Sequence, residues 1–509
     1  MMAGVHDVIV IGAGSAGAVV AARASEDPNR TVLLLEAGPD HAGGELPDDL
    51  RDGHDNSYVD HDWGLQYQPT ESGRPQPLPR GRVTGGSSAV NTCIALRGVP
   101  EDFDGWAAAG CDEWSWERVL PAYRRLERDL DFGAAEHHGD SGPIPVRRYP
   151  AAEMTELHAA FLDAASTLGW PECPDANHPT DWGAGPQPMN KLGRLRVSVA
   201  TAYLAPARVR ANLTVRAGSH VRRLVVRDRR VTGVEIDGPD GSEVLSARIV
   251  VLSAGAIHSP GVLVRSGIGD PAELARLGVD EVAAAPGVGA GLADHPAVPI
   301  ILEAREPRMV DRDLPLIQTI LRYTAEGSDQ RMDAQIELVT RAGRPGGPPR
   351  FGVAAVLEQC WTRGEVRQTS ADPLSAPAIH MHFCEDDRDA SRLAAILRDA
   401  ARFVTAEPLA GLIAEQHFPD PQRAGDPEEL VRRAAGSGYH PCGTVRMGPA
   451  DDAMAVVDQW GRAPAVDGLV VADASILPTV PRANTNLTSI MVGERIGEWL
   501  RTEPARYGL

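Results

Sequence analysis

The sequence predicts an α/β protein built on a Rossmann-like domain, and three observations near its start predict it. Val8-Ile9-Val10-Ile11 is a β-branched run of the kind that forms a parallel strand buried on both faces. Gly12-Ala13-Gly14-Ser15-Ala16-Gly17 follows, then an alanine-rich helical stretch to about Ser25. A second apolar run, Val32-Leu33-Leu34-Leu35, ends in Glu36. In such a β-α-β unit Gly12 serves the tight turn, Gly14 lets backbone approach a pyrophosphate, and Gly17 lets helix pack on strand. Glu36, 19 residues past Gly17, stands near the position from which a carboxylate holds a ribose hydroxyl. The pyrophosphate would rest on backbone N–H groups at the helix start. The unit predicts a bound dinucleotide without separating NAD from FAD.

Composition excludes several other chemistries. Of the 50 basic residues only Lys191 is a lysine, and it lies in Asn-Lys-Leu-Gly, outside any glycine-rich phosphate loop. Schiff-base chemistry would have to rest on that one amine. A net charge of −20 repels nucleic acid and anionic membranes, so neither is expected as a partner. No stretch reaches the ~18 apolar residues of a membrane span. The N-terminal apolar run lacks a basic flank and carries three glycines, which argues against a secretory signal. The six cysteines are widely spaced and form no Cys-x-x-Cys pair. A reducing, cytoplasmic setting is the expectation.

Further motifs follow in order. They are Arg80-Gly81-Arg82-Val83-Thr84-Gly85-Gly86-Ser87-Ser88-Ala89-Val90-Asn91, then Gly255-Ala256-Ile257-His258-Ser259-Pro260 running to Ser266-Gly267-Ile268-Gly269. Asp294-His295-Pro296, Tyr439-His440-Pro441-Cys442-Gly443-Thr444, Asp473-Ala474-Ser475 and Asn484-Thr485-Asn486 complete the set. Together with the N-terminal glycines, these blocks resemble the signatures of the glucose–methanol–choline (GMC) oxidoreductases across nearly the whole chain. The resemblance implies a Rossmann-like FAD-binding domain of the GMC type with an inserted α+β substrate-binding domain. The segments expected are 1–150, 205–300 and 440–509 for FAD, and 151–204 and 301–439 for substrate. It implies FAD contacts at Gly12, Gly14, Ser15, Gly17, Glu36, Val83, Gly85, Gly86, Asn91, Val221, Asp473, Ala474 and Asn486. Some relatives bond FAD through a histidine just before the asparagine matching Asn91. Here that residue is Val90, so non-covalent FAD is expected. Gly291 and Ala293 replace the Asn and Gln that many relatives carry ahead of Asp-His-Pro.

Alcohol oxidation by a flavin moves a hydride to flavin N5 and releases the hydroxyl proton. The proton needs a base within hydrogen-bond reach, and histidine titrates in the useful range. Among 15 histidines, the resemblance singles out His440 as base, with Asn484 as its partner. An amide N–H steadies a developing alkoxide without competing for its proton. The reading is oxidation of a small alcohol or polyol, with electrons passing to O2 or a quinone-like acceptor. A redox-silent, hydroxynitrile-lyase-like reaction is the alternative. Choline fits less well, since a quaternary ammonium prefers an aromatic cage and aromatics are few, although Trp361 and Tyr439 could line the pocket.

Other patterns take plainer readings. Leu487 to Ile496 has helical spacing, with Asn484 or Asn486 expected to cap it. Pro121 interrupts the helical pattern of Trp116, Leu120, Tyr123 and Leu126, so a helix starting or kinking there is expected. His380-Met381-His382 reads as an ordinary strand, and no metal site is expected. Asp333, Gln335 and Glu337 alternate and read as a solvated strand face; receiving a polyol or a cation is the other possibility.

Overall fold

The computed structural model describes residues 5–43, 45–71, 73–239, 241–343, 347–420 and 425–509. The elements that position the site begin with β1 (His6–Ile11), α1 (Gly17–Ala24), β2 (Val32–Leu35) and α2 (Trp116–Leu126). Then come β3 (Gly183–Pro186), β4 (Leu213–Arg216), β5 (His220–Arg227), β6 (Arg230–Gly238), β7 (Gly241–Leu252) and α3 (Gly255–Arg265). The chain continues through β8 (Pro296–Ala304), β9 (Thr319–Tyr323), β10 (Ala334–Val339), β11 (Arg350–Leu357) and α4 (Asp387–Thr405). It ends with β12 (Ile413–Phe418), β13 (Leu469–Val471) and α5 (Thr485–Thr502).

The first sheet has the order β4-β2-β1-β7-β6-β5, with β13 on the free side of β7. β4, β2, β1, β7 and β13 run parallel, with Val8 opposite both Val32 and Ile249. Their apolar runs are continuous because helices cover both faces. β7 is long enough to do two jobs: its first half pairs antiparallel with β6 and its second half joins the parallel core. The turn after β1 requires glycine. Gly12 has φ +94°, and a Cβ there would fall 2.5 Å from the Ser253 carbonyl oxygen. A Cβ on Gly17 would fall 2.1 Å from Gly12 O, so this residue sets how closely α1 meets β1.

The second sheet, β12-β8-β11-β10-β9-β3, is antiparallel throughout and draws β3 from a distant stretch of chain. Helix α4 packs on its β8, β11 and β10 strands. The other face turns toward the C-terminal ends of the parallel strands and walls a cavity there.

The structure corrects the solvated-face expectation and, of a helix starting or kinking at Pro121, the start. α2 does not begin at Pro121 but at Trp116, where Ser115 leads the chain in from an extended conformation. Asp333, Gln335 and Glu337 do not form a solvated face. Asp333 and Gln335 are buried, and the open side of Glu337 faces the cavity. All six cysteines are buried and unpaired. Among the described residues, no helix is long and apolar enough to cross a membrane.

Candidate active site

One cavity of about 1380 Å³ runs from the glycine turn after β1 to the second sheet. That exceeds the roughly 300–1,000 Å³ of an ordinary small-molecule pocket, so it has room for a long ligand and a second molecule. Gly12, Gly14, Ser15, Glu36, Gly86, Asn91, Val221, Asp473, Ala474 and Asn486 all line it, as do His440 and Asn484. Gly17, Val83 and Gly85 stand behind its wall. Gly85 N–H donates to Ala13 O at 2.8 Å, which ties the second glycine loop to the first.

The glycine end fits a dinucleotide. Gly14 and Gly86 face each other across the wall, and a Cβ on Gly86 would lie 2.6 Å from Gly14 Cα. Gly255, at φ +80°, lines the cavity, and a Cβ there would meet nothing within 4 Å. The missing side chain at Gly255 therefore leaves room for a ligand against the backbone. Glu36 Oε2 accepts from Ala13 N at 2.9 Å and Oε1 from Gly38 N at 2.8 Å, and burial pushes its carboxyl up to about 7. Asp473 is held by Gly255 N, Ser259 Oγ and Ser475 N. Asn486 Oδ1 accepts from Ser15 Oγ at 2.9 Å, while its buried Nδ2 has no partner among the described residues. A buried amide without an acceptor marks a place for a ligand oxygen.

At the other end lies a chain of four groups whose direction is fixed by its first member. The Pro481 carbonyl can only accept, so His295 Nε2, 2.9 Å away, must donate to it. A neutral His295 then presents Nδ1 as an acceptor, and His440 Nδ1 donates across 2.9 Å. His440 is left with its lone pair on Nε2, and Asn484 Nδ2 donates to that atom at 2.9 Å. Electrostatics agrees with this proton count. Burial holds His295 down to about 3. Burial also drives His440 well below the usual histidine range, with smaller contributions from His295 and Arg80.

Asp294 holds the two histidine loops together. Its Oδ1 accepts from His295 N at 2.7 Å and His440 N at 2.8 Å, and Oδ2 accepts from Ser437 Oγ. Tyr439, beside His440, sits at φ +67°, an uncommon conformation for a residue with a Cβ and one that clusters at functional sites. Asn484 occupies the cap position of α5 without capping it, because its amide is committed to His440; Asn486 does not cap either. Trp361 is not a pocket residue: it lies at the surface with Arg388 stacked on it at 4.2 Å. Tyr58, Tyr67, Tyr439 and Phe418 supply the aromatic wall instead.

The GMC oxidoreductase N-terminal model matches residues 6–297, and the GMC oxidoreductase C-terminal model matches 361–493. The chain is a GMC oxidoreductase. It is accordingly an FAD-dependent enzyme that oxidises alcohol groups. This GMC oxidoreductase is 34% identical to the 5-(hydroxymethyl)furfural oxidase of Methylovorus sp. strain MP688, over 98% of the chain and 99% of the relative. It is 35% identical to the choline oxidase of Arthrobacter globiformis, over 98% and 95% respectively. The crystal structure of pyridoxine 4-oxidase from Mesorbium loti superposes with a TM-score of 0.89 at 30% identity, covering 97% of this chain and 98% of that one. These relatives are oxidases, and they do not favour the lyase alternative.

Sequence reasoning gave His295 no role. It lay inside a recognised block, but nothing in the spacing places it against a histidine 145 positions away. Arg80 likewise lay in a motif read only for its glycines; its guanidinium donates to Tyr439 O at 2.9 Å.

Proposed function

We propose that this GMC oxidoreductase is an oxidase of small alcohols in which His440 Nε2 takes the hydroxyl proton and Asn484 orients the oxygen. The observation that carries this reading is the directed chain from Pro481 O, which puts the acceptor lone pair of His440 on Nε2, where Asn484 holds it in the wall of the cavity. A hydroxyl entering between His440 and Asn484 donates to Nε2 and accepts from the amide, which satisfies both. FAD, when bound, supplies the hydride acceptor and passes the electron pair on to dioxygen.

The residues proposed to hold FAD are those of the glycine end. Gly14 and Ser15 offer backbone N–H groups to the pyrophosphate, Gly12 and Gly86 keep side chains out of its path, and Glu36 faces the ribose. Asn91, Val221, Asp473, Ala474 and Asn486 line the remainder. Gly17, Val83 and Gly85 shape the loops behind them. Val90 lines the cavity with an aliphatic side chain that cannot form a flavin bond, so non-covalent attachment is the proposal. The two sheets support a division of labour, with the parallel sheet for FAD and the antiparallel sheet for substrate. Relatives named for 5-(hydroxymethyl)furfural, choline and pyridoxine support a small alcohol, and their being oxidases supports dioxygen.

The test is anaerobic mixing with a panel of primary alcohols while flavin absorbance is followed. Wild type bleaches with at least one alcohol. His440→Ala retains FAD and bleaches roughly 10²- to 10⁴-fold more slowly. Turnover with flavin staying oxidised refutes the redox reading, and an unimpaired His440→Ala refutes the base.

A further inference from the structure

Proton transfer at His440 uses one end of the substrate cavity and leaves its floor unassigned. That floor is the inner face of β8, β10 and β11. Pro299, Ala354 and Val356 make it apolar and smooth, and Gln335 and Glu337 interrupt it from alternate positions on β10. Register places Glu337 between Ile320 and Ala354, neither of which can offer it a hydrogen bond. Glu337 Oε2 and Gln335 Oε1 are buried and without partners among the described residues. An unpaired carboxyl and an unpaired amide oxygen, two residues apart on a rigid strand, form a costly arrangement in an apolar wall. A ligand that supplies hydrogen bonds removes the cost.

The surroundings choose among ligands. Burial alone pushes Glu337 up to about 7. Its charged neighbour is another acid, Glu358, which burial pushes up to about 8. A neutral carboxyl both donates to and accepts from a hydroxyl, whereas an ammonium needs the ionised form. A quaternary ammonium has no N–H to offer. Arg312, Arg341 and Arg350 also line the cavity, and Asp55, which pairs with the first two, offsets only one of the three charges, so this stretch of wall opposes the entry of a cation. Glu358 Oε2 lies 3.5 Å from His295 Nε2, which places this pair of acids on the His440 side.

Resting on the alcohol-oxidising reading, we propose that Glu337 and Gln335 form a subsite for a second hydroxyl of the substrate. Diols and polyols are then the preferred class. The reacting hydroxyl lies between His440 and Asn484, and the distal hydroxyl bonds to the β10 pair.

The test compares second-order rate constants for anaerobic flavin reduction by α,ω-diols, by 1-alkanols of the same length and by ω-amino alcohols. Wild type prefers the diol over its alkanol by roughly 10- to 10³-fold at one or more chain lengths, because a site built to bond a hydroxyl penalises its loss. Glu337→Leu abolishes that preference by slowing the diol relative to the alkanol, with FAD content retained. Glu337→Gln retains part of it, since an amide still bonds a hydroxyl. Should Glu337→Leu fail to fold, Gln335→Leu serves, and the diol advantage shrinks. The proposal is overturned if wild type shows no diol preference, if Glu337→Leu slows both alcohol classes equally, or if the amino alcohol outpaces the diol. Alkanols that bleach flavin without any diol preference sink the subsite alone. Failure of every alcohol to bleach flavin sinks the oxidase reading and the subsite with it.

Discussion

His440 is one of 15 histidines, and its distinction is a matter of tautomer. A histidine free to carry its proton on either nitrogen offers the wrong one part of the time. Here a carbonyl oxygen sets the state of His295, and His295 sets that of His440. His295 is therefore a positioning residue. In His295→Leu the Nδ1–H of His440 loses its acceptor, and the Nε2–H tautomer, which cannot take a proton, gains population. The rate constant for flavin reduction is expected to fall by ~10²-fold or more with FAD retained, by analogy with the cost of a mis-set tautomer in a catalytic triad. A rate within a factor of about two of wild type would show that His295 merely fills space. The pH profile of wild type carries the companion expectation. Because burial holds His440 low, the neutral base persists as pH falls through 6.5, and the acidic loss of kcat/KM sets in below that value.

At the scale of elements, α5 trades stability for chemistry at its first turn. An asparagine in the cap slot ordinarily bonds the second or third backbone N–H of its helix. Asn484 instead reaches His440, so its first-turn donors receive no side-chain cap. Asn484→Ser is expected to restore a cap and raise stability by about 0.5–1 kcal/mol in thermal or denaturant unfolding, while flavin reduction slows. A variant that is both slower and less stable would mean the amide supports the fold rather than the reaction. The helix body is anchored independently. Glu494 accepts from Arg23, Arg125 and Tyr203, and Gly493 and Gly497 let α5 press directly onto α1. The β-α-β unit and α5 were legible because their residues are contiguous and each pattern has a local cause. The cap was misread for the same reason: local rules place asparagine on its own helix, and only the fold brings a histidine 44 positions away within reach. His295 was illegible as a site residue, and Glu337 was legible only as the lesser of two readings. Burial and partners acquired across the sheet give them their roles, and strand alternation alone cannot separate a wet face from a cavity floor.

At the scale of the whole molecule, a buried network joins stretches from residue 97 to residue 175. Arg97 and Arg148 face Glu127, Asp129 and Asp175, which leaves one carboxylate in excess, and His138 lies among them. Its Nδ1 is 2.9 Å from Glu127 Oε1 and 3.2 Å from Asp129 Oδ2, and its Nε2 is 2.8 Å from Asp175 Oδ2. Arg97 also approaches Nδ1, at 3.0 Å, but three carboxylates crowd the ring against that one guanidinium, which favours the doubly protonated imidazolium that balances the charge. Burial opposes that charge, but hydrogen bonds to Asp175 and Glu127 outweigh it and raise the histidine above its ordinary 6.5. The sign follows from linkage. With a raised folded value, the contribution of His138 is fully present below 6.5 and disappears as pH rises through the folded value. Glu36, Glu337 and Glu358 also titrate near neutrality, and their burial costs grow with pH, so the stability of wild type alone would confound the two effects. Comparison with His138→Gln cancels the shared carboxyls. The variant is expected to unfold about 1–2 °C lower at pH 6, on the order of 1–2 kcal/mol in a chain this large, and to converge with wild type in alkaline solution. A gap of constant size from pH 6 to pH 9 would mean that His138 is neutral in the folded protein and that the network carries its excess carboxylate unbalanced.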